Sequence, residues 1–151
     1  MVSTAKDYLE SQLQFCADYG TQFVQHFYPT LDYSRSNVLS LYRENSLLHW
    51  SGTEKRGLAT LGQFFQHELP PVTRHSPLSV SCQPILHPQE GPTQSPTPQQ
   101  MMLTVSGEVS FEVSGSALPS RPFSHLFILT REGDSPEHFY ISQDCFRFQD
   151  E

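Results

Sequence analysis

The chain has 151 residues, enough for one domain, and a domain of that size buries ~70% of the surface its unfolded chain exposes. Eleven Phe, six Tyr and one Trp supply a core, which excludes global disorder. Sixteen carboxylates against nine Lys and Arg give a formal net charge of -7 and no basic stripe, which argues against a direct grip on nucleic acid.

In chain order, Thr4 to Tyr28 forms the first predicted helix, with Leu9, Leu13, Cys16, Tyr19, Phe23 and Phe27 at threes and fours on one stripe. Thr4 and Asp7 offer an N-cap, and Pro29 is expected to stop the helix because it lacks an N–H. A shorter helix is expected near Ser36 to Arg43, then a strand in "SLLHW" and a turn at Ser51-Gly52. Gly57 to Glu68 is a third amphipathic segment, through Leu58, Leu61, Phe64 and Phe65, closed by Pro70-Pro71.

From there the period changes to two. "PLSVSCQPIL" alternates Leu78, Val80 and Cys82 against Ser79, Ser81 and Gln83. "MMLTVSGEVSFEV" sets Leu103, Val105, Val109, Phe111 and Val113 against Thr104, Ser106, Glu108, Ser110 and Glu112. "FSHLFILT" and "HFYISQDCFRFQ" complete about four long strands. Helices followed by strands indicate an α+β fold, an antiparallel sheet with helices on one face. Residues 1–151 are expected to form a single domain. The stretch 88–99, rich in Pro, Gln, Ser and Thr, is expected to be a flexible hairpin loop. Its Ser95-Pro96 and Thr97-Pro98 pairs are weak phosphorylation signals.

The search for chemistry is short. No glycine-rich nucleotide loop and no nucleophile elbow occur, and the seven histidines show no metal-ligand spacing. His125 and His49 are the histidines best placed to face a pocket. Asp32, Glu108, Glu112 and Asp144 are too dispersed to suggest an acid/base pair. Cys16, Cys82 and Cys145 form no CxxC pair, so neither a zinc site nor a disulfide framework is expected. No stretch reaches the ~18 apolar residues of a membrane span, and a soluble intracellular protein is expected. No catalytic residue, cofactor or metal is assigned.

Three segments in order carry a resemblance. They are "FVQHFYPTLDYSRSNVLSLYRENSLLHWSG" (23–52), "SCQPIL", and "FSHLFILT" followed by "DCFRFQD". Together they resemble the nuclear transport factor 2-like family, and "SCQP" and "QDCFRFQD" are most similar to its export-related members. The resemblance implies a cone: a curved antiparallel sheet wrapped around a long N-terminal helix plus two shorter helices. It implies a non-catalytic small subunit whose outer sheet face pairs with the matching domain of a large messenger-RNA export receptor. The complex, rather than this chain alone, would engage nuclear-pore Phe-Gly proteins while shuttling between nucleus, nuclear pore and cytoplasm. Arg147 is carried over as the interface residue, with Cys145 and Gln143 on its face by alternation and Phe146 and Phe148 turned to the core.

Two alternatives from the same resemblance are a homodimeric carrier of Ran-GDP and a pocket enzyme of the isomerase or dehydratase type. Ran binding is disfavoured because Ser51 and Ser114 stand where such carriers have acidic residues.

Overall fold

The computed structural model describes residues 5–87 and 95–150. The expected Thr4 cap and positions 88–94 of the loop lie outside them. In chain order the elements are α1 (Ala5–Tyr33), a 3-10 helix (Arg35–Leu41), β1 (Tyr42–Trp50), β2 (Thr53–Arg56) and α2 (Leu58–Gln63), which runs into a π-helical turn (Phe64–Glu68). β3 (Val72–Pro84), β4 (Gln100–Val113), β5 (Ser116–Ala117), β6 (Arg121–Arg131) and β7 (Phe139–Phe148) follow. One sheet has the order β2-β1-β7-β6-β4-β3, with β5 beside β4. It curls around α1 in the α+β cone that the resemblance implied. Every pairing is antiparallel except that of β1 with β7, which is parallel. Nothing in the local alternation of "SLLHW" distinguishes a parallel neighbour from an antiparallel one.

The first helix departs from expectation at both ends. Leu9 and Leu13 are 37% and 46% exposed, whereas Gln12 is buried and its Nε2 donates to the Ser95 carbonyl at 2.9 Å. The buried stripe therefore runs through Gln12, Cys16, Phe23, Val24, Phe27, Tyr28 and Leu31. Gly20 lies on that stripe because a Cβ there would sit 2.6 Å from Cys82 Cβ, so its absence lets β3 press on the helix backbone.

At the other end, Pro29 does not stop the helix, which continues to Tyr33. An interior Pro costs ~3 kcal/mol, and tertiary contacts offset it. Thr30 and Leu31 are buried, and Thr30 Oγ1 donates to the His26 carbonyl at 2.7 Å. The last turn also places Asp32 against β3, accepting from Thr73 Oγ1 (2.7 Å) and His75 N (2.8 Å) and bonding His75 Nδ1 (2.7 Å). Arg35 donates to the Pro70 carbonyl at 2.6 Å and to Thr73 Oγ1 at 3.0 Å, which fixes the end of the π-helical turn.

The sheet bends where its ladder slips. Leu78 is an extra residue between the Pro77↔Gly107 and Ser79↔Ser106 pairs, and it is 75% exposed. It was expected beside Val80 and Cys82, but a bulge removes its residue from the alternation. Opposite the bulge, a Cβ on Gly107 would lie 2.3 Å from the Ser76 carbonyl oxygen, so only glycine fits. Val113, expected inward, is half exposed at the turn into β5. The 95–99 part of the expected loop is held down rather than free. Thr97 is buried, and its hydroxyl accepts from Arg131 Nη1 at 3.3 Å.

Candidate functional site

β7 has a bulge of its own, and it decides what the outer face of the cone presents. Leu129 pairs with Ile141, and the next position, Ile128, pairs with Gln143, leaving Ser142 as the extra residue. Its hydroxyl donates to the Ile128 carbonyl at 3.0 Å. Ile141 is fully buried, so unbroken alternation would carry residues 143, 145 and 147 inward. The bulge resets the strand. Asp144, Phe146 and Phe148 point to the core, while Gln143, Cys145 and Arg147 face outward.

For Gln143, Cys145, Arg147, Phe146 and Phe148 the sequence expectation of facing agrees with that placement. Phe146 stacks on Trp50 (ring centroids 5.7 Å apart), and Phe148 meets Trp50 edge-on at 5.5 Å. The outward three take their places in rows across the sheet. Arg147 pairs with Ser124, which pairs with Ser106 and then Ser79. Cys145 lies between Leu126 and His49, with Thr104 and Ser81 beyond Leu126. Gln143 lies between Ile128 and Leu47, followed on the Ile128 side by Met102 and Gln83.

The result is an apolar strip of Leu47, Ile128, Met102 and Leu126 framed by serines, threonines and amides. Leu47, Leu126 and Ile128 are only half-buried, and Met102 is exposed. Arg147 stands at its edge, exposed, with no ion pair or hydrogen bond to its side chain among the described residues. This face therefore combines an apolar centre, a polar rim and an exposed Arg.

The inner face holds a polar chain that sequence reading missed. His125 Nε2 and Asp144 Oδ1 are 2.5 Å apart, Tyr42 Oη donates to Asp144 Oδ2 at 2.6 Å, and Tyr28 Oη lies 2.9 Å from His125 Nδ1. Burial, followed by the Asp144 charge, pushes both tyrosine hydroxyls well above their usual range, so they remain donors. The Tyr28 hydroxyl and Asp144 thus hold the imidazole of His125 at both of its nitrogens. His75, held by Asp32, meets the Tyr28 ring in a tilted contact with centroids 5.0 Å apart. Asp32 and Asp144, far apart in sequence, therefore reach one interior. Their convergence depends on the β6–β7 and α1–β3 contacts, which no local motif signals.

His75, His125 and Asp144 line a cavity with Phe27, Trp50 and Phe64, but its volume is about 20 Å³, room for roughly one water. Both Asp144 oxygens and both His125 nitrogens are already bonded within the protein. The group is built to hold strands together; nothing of substrate size has room beside it. Among the described residues no cluster of His, Cys, Asp and Glu could hold a metal ion, and no helix is long and apolar enough to cross a membrane.

A profile of the Nuclear transport factor 2 (NTF2) domain matches residues 19–148. The chain belongs to the nuclear transport factor 2 family. NTF2-related export protein 1 of Bos taurus is 34% identical over 131 residues, spanning 85% of each chain. The solved nuclear transport factor 2 of Cryptosporidium parvum superposes with a TM-score of 0.70 at 28% identity, over 91% of this chain and 97% of the other. The C. albicans Mtr2-Mex67 M domain complex contains a chain of the same fold, with a TM-score of 0.63 at 17% identity over 87% of this chain and 94% of the other.

Within this family member, Ser51 and Ser114 each open a two-residue hairpin turn followed by glycine, with φ of 47° and 51°. Such turns favour Asn or Asp at the first position as much as any residue. The backbone therefore does not explain why serine stands there.

Proposed function

We propose that this chain is the non-catalytic small subunit of a heterodimer, pairing through its outer sheet face with the matching domain of a large messenger-RNA export receptor. The observation that carries the reading is Arg147, exposed and without an ion pair among the described residues, beside the strip of Leu126, Ile128 and Met102. A guanidinium in that setting suits a carboxylate from a second domain, which would meet it as a bidentate pair when the apolar strip is covered. The names of the similar proteins, export proteins and a two-chain Mtr2-Mex67 complex, support the same class of partner. The acidic net charge leaves RNA to be bound elsewhere in the assembly. Nuclear-pore Phe-Gly repeats would be met by the complex, which shuttles between nucleus, pore and cytoplasm.

A serine at both turns, where an acidic residue would fit equally well, supports an export partner over a Ran-GDP carrier. The converging His125, Asp144 and His75 favour a pocket enzyme on chemistry alone. The hydrogen bonds that occupy both His125 nitrogens and both Asp144 oxygens, and the one-water cavity, favour a structural role instead. Co-expression with the receptor's matching domain tests the proposal, with a one-to-one complex on size-exclusion chromatography as the expected result. A chain that purifies as a stable homodimer, ignores the receptor domain and binds Ran-GDP would overturn it.

A further inference from the structure

We propose that Ser95 is a phosphorylation site for a proline-directed serine/threonine kinase, and that its phosphate docks on the guanidinium of Arg131, pinning the entry to β4 against the end of β6. The site uses no residue of the outer strip and does not depend on the partner-binding reading.

The site begins with a cation that lacks a counter-ion. Arg131 ends β6 in the same alternation as buried Phe127 and Leu129, and is itself half-buried. Its Nη1 donates to Thr97 Oγ1 at 3.3 Å. Its buried Nε has no hydrogen-bond partner, and no carboxylate pairs with the guanidinium, among the described residues. The adjacent acid, Glu132, is taken by Arg43. A partly covered guanidinium with nothing to neutralise it is costly to desolvate, and an anion beside it gains charge-assisted hydrogen bonds.

The stretch that faces Arg131 can supply that anion. Ser95 Oγ accepts from the Thr97 backbone N–H at 3.2 Å and lies 3.2 Å from Thr97 Oγ1, while the Ser95 carbonyl accepts from Gln12 Nε2 at 2.9 Å. The seryl oxygen therefore stands one threonine hydroxyl away from the guanidinium. A phosphate on Ser95 projects beyond its ester oxygen across that gap, with the Thr97 N–H and hydroxyl in reach as further donors. It brings roughly two negative charges and three strong acceptor oxygens.

Both Ser95 and Thr97 precede proline, the feature a proline-directed kinase reads. Burial decides between them. Thr97 is enclosed with its hydroxyl held by Arg131, whereas Ser95 is only half-buried and Pro96 is exposed. The stretch precedes β4, which begins at Gln100, and side-chain bonds from Gln12 and Arg131 tie it down. A kinase cleft can draw Ser95 out without opening the sheet. In the transfer, Ser95 Oγ attacks the γ-phosphorus of ATP. The new P–O ester bond forms and the bond to the bridging oxygen breaks; ADP leaves with that electron pair, and the seryl proton passes to a carboxylate base of the kinase.

The test treats the full chain with a mitogen-activated protein kinase and ATP, maps the phosphate by tandem mass spectrometry and titrates it by phosphorus NMR. The expected product carries its phosphate on Ser95; Ser95→Ala should lose it and Thr97→Val should keep it. Because the guanidinium favours the dianion, the second ionisation should fall below the ~6 of an unpaired phosphoserine, and Arg131→Gln should restore that value. Phosphorylation should also slow deuterium exchange at the Thr97 amide about tenfold, a comparison that needs no variant to fold. No phosphate on Ser95, phosphate on Thr97 in its place, or a phosphoserine that titrates as in a free peptide and leaves the Thr97 amide unprotected would overturn the proposal.

Discussion

The two faces of the sheet are written on the same strands, yet they do opposite work. Inward, Met101, Leu103, Val105, Phe123, Phe127, Leu129, Ile141, Phe146 and Phe148 are almost wholly buried. Outward, the neighbours of those residues are serines, threonines, amides and a thin apolar strip ending at Arg147. The inner face is closed within one chain: its aromatic rings contact one another, and its polar chain Tyr28–His125–Asp144–Tyr42 is hydrogen-bonded link to link. The outer face is less fully covered: Leu126 and Ile128 are half-buried, and Arg147 is exposed with no ion pair among the described residues. The buried rings lie on the first and Arg147 on the second, and a single extra residue, Ser142, keeps them from changing places.

Deleting Ser142 is the severest way to break that division. Without the bulge, continuing alternation from Ile141 drives Gln143, Cys145 and Arg147 into the core and expels Phe146 and Phe148. Loss of cooperative unfolding by circular dichroism, or insoluble expression, is expected; a variant that melts like the parent would show that the bulge is incidental. Asp144→Ala should come next. It leaves His125 and Tyr42 buried without their acceptor, at a cost of about 3–5 kcal/mol in urea unfolding, with little change in partner affinity once the chain is folded.

How much of this was legible in the chain depends on range. Between Gln143 and Phe148 strict alternation holds, so the assignment of Arg147 and Cys145 to one face and the two phenylalanines to the other needed only local pattern. The same pattern applied to Leu78 failed, because a bulge opposite Gly107 is a property of two strands together. Pro29 misled for a similar reason: its local penalty is real, but Asp32 and Thr73 meet only in the fold and offset it. The His125–Asp144 contact depends on β6 and β7 pairing in one register, and the carboxylates looked dispersed because that register is invisible along a line of letters. The parallel partner of β1 was hidden in the same way. The placement of the candidate face and of most apolar core positions was thus readable, whereas the polar contacts of the interior were not.

Arg147→Glu tests the outer face without touching the inner one. Next to buried Phe146 and Phe148 the side chain itself is exposed, so unfolding free energy should move by no more than ~0.5 kcal/mol. Affinity for the partner domain should fall by about 2–5 kcal/mol, read by titration calorimetry, because the opposing carboxylate would be desolvated against a like charge. Equal losses in stability and binding would mean that the two faces are not separable at this position.

The smallest effect lies where α1 meets β3. Burial by itself would raise the Asp32 carboxyl, but the bonds and charge of His75, together with Thr73 Oγ1 and His75 N–H, hold it below its ordinary value of 3.8. A carboxyl lowered in the folded state adds stability above its unfolded pKa, and that stability is lost as pH falls through the folded value. Asp32→Asn should therefore lower the urea midpoint most at neutral pH. The gap to the parent should close as pH drops below about 3.8, where the parent's carboxyl takes up its proton. A gap that widens in acid would reverse the sign of the linkage. It would place the stabilising charge on a group other than Asp32, and the helix would then run past Pro29 for some other reason.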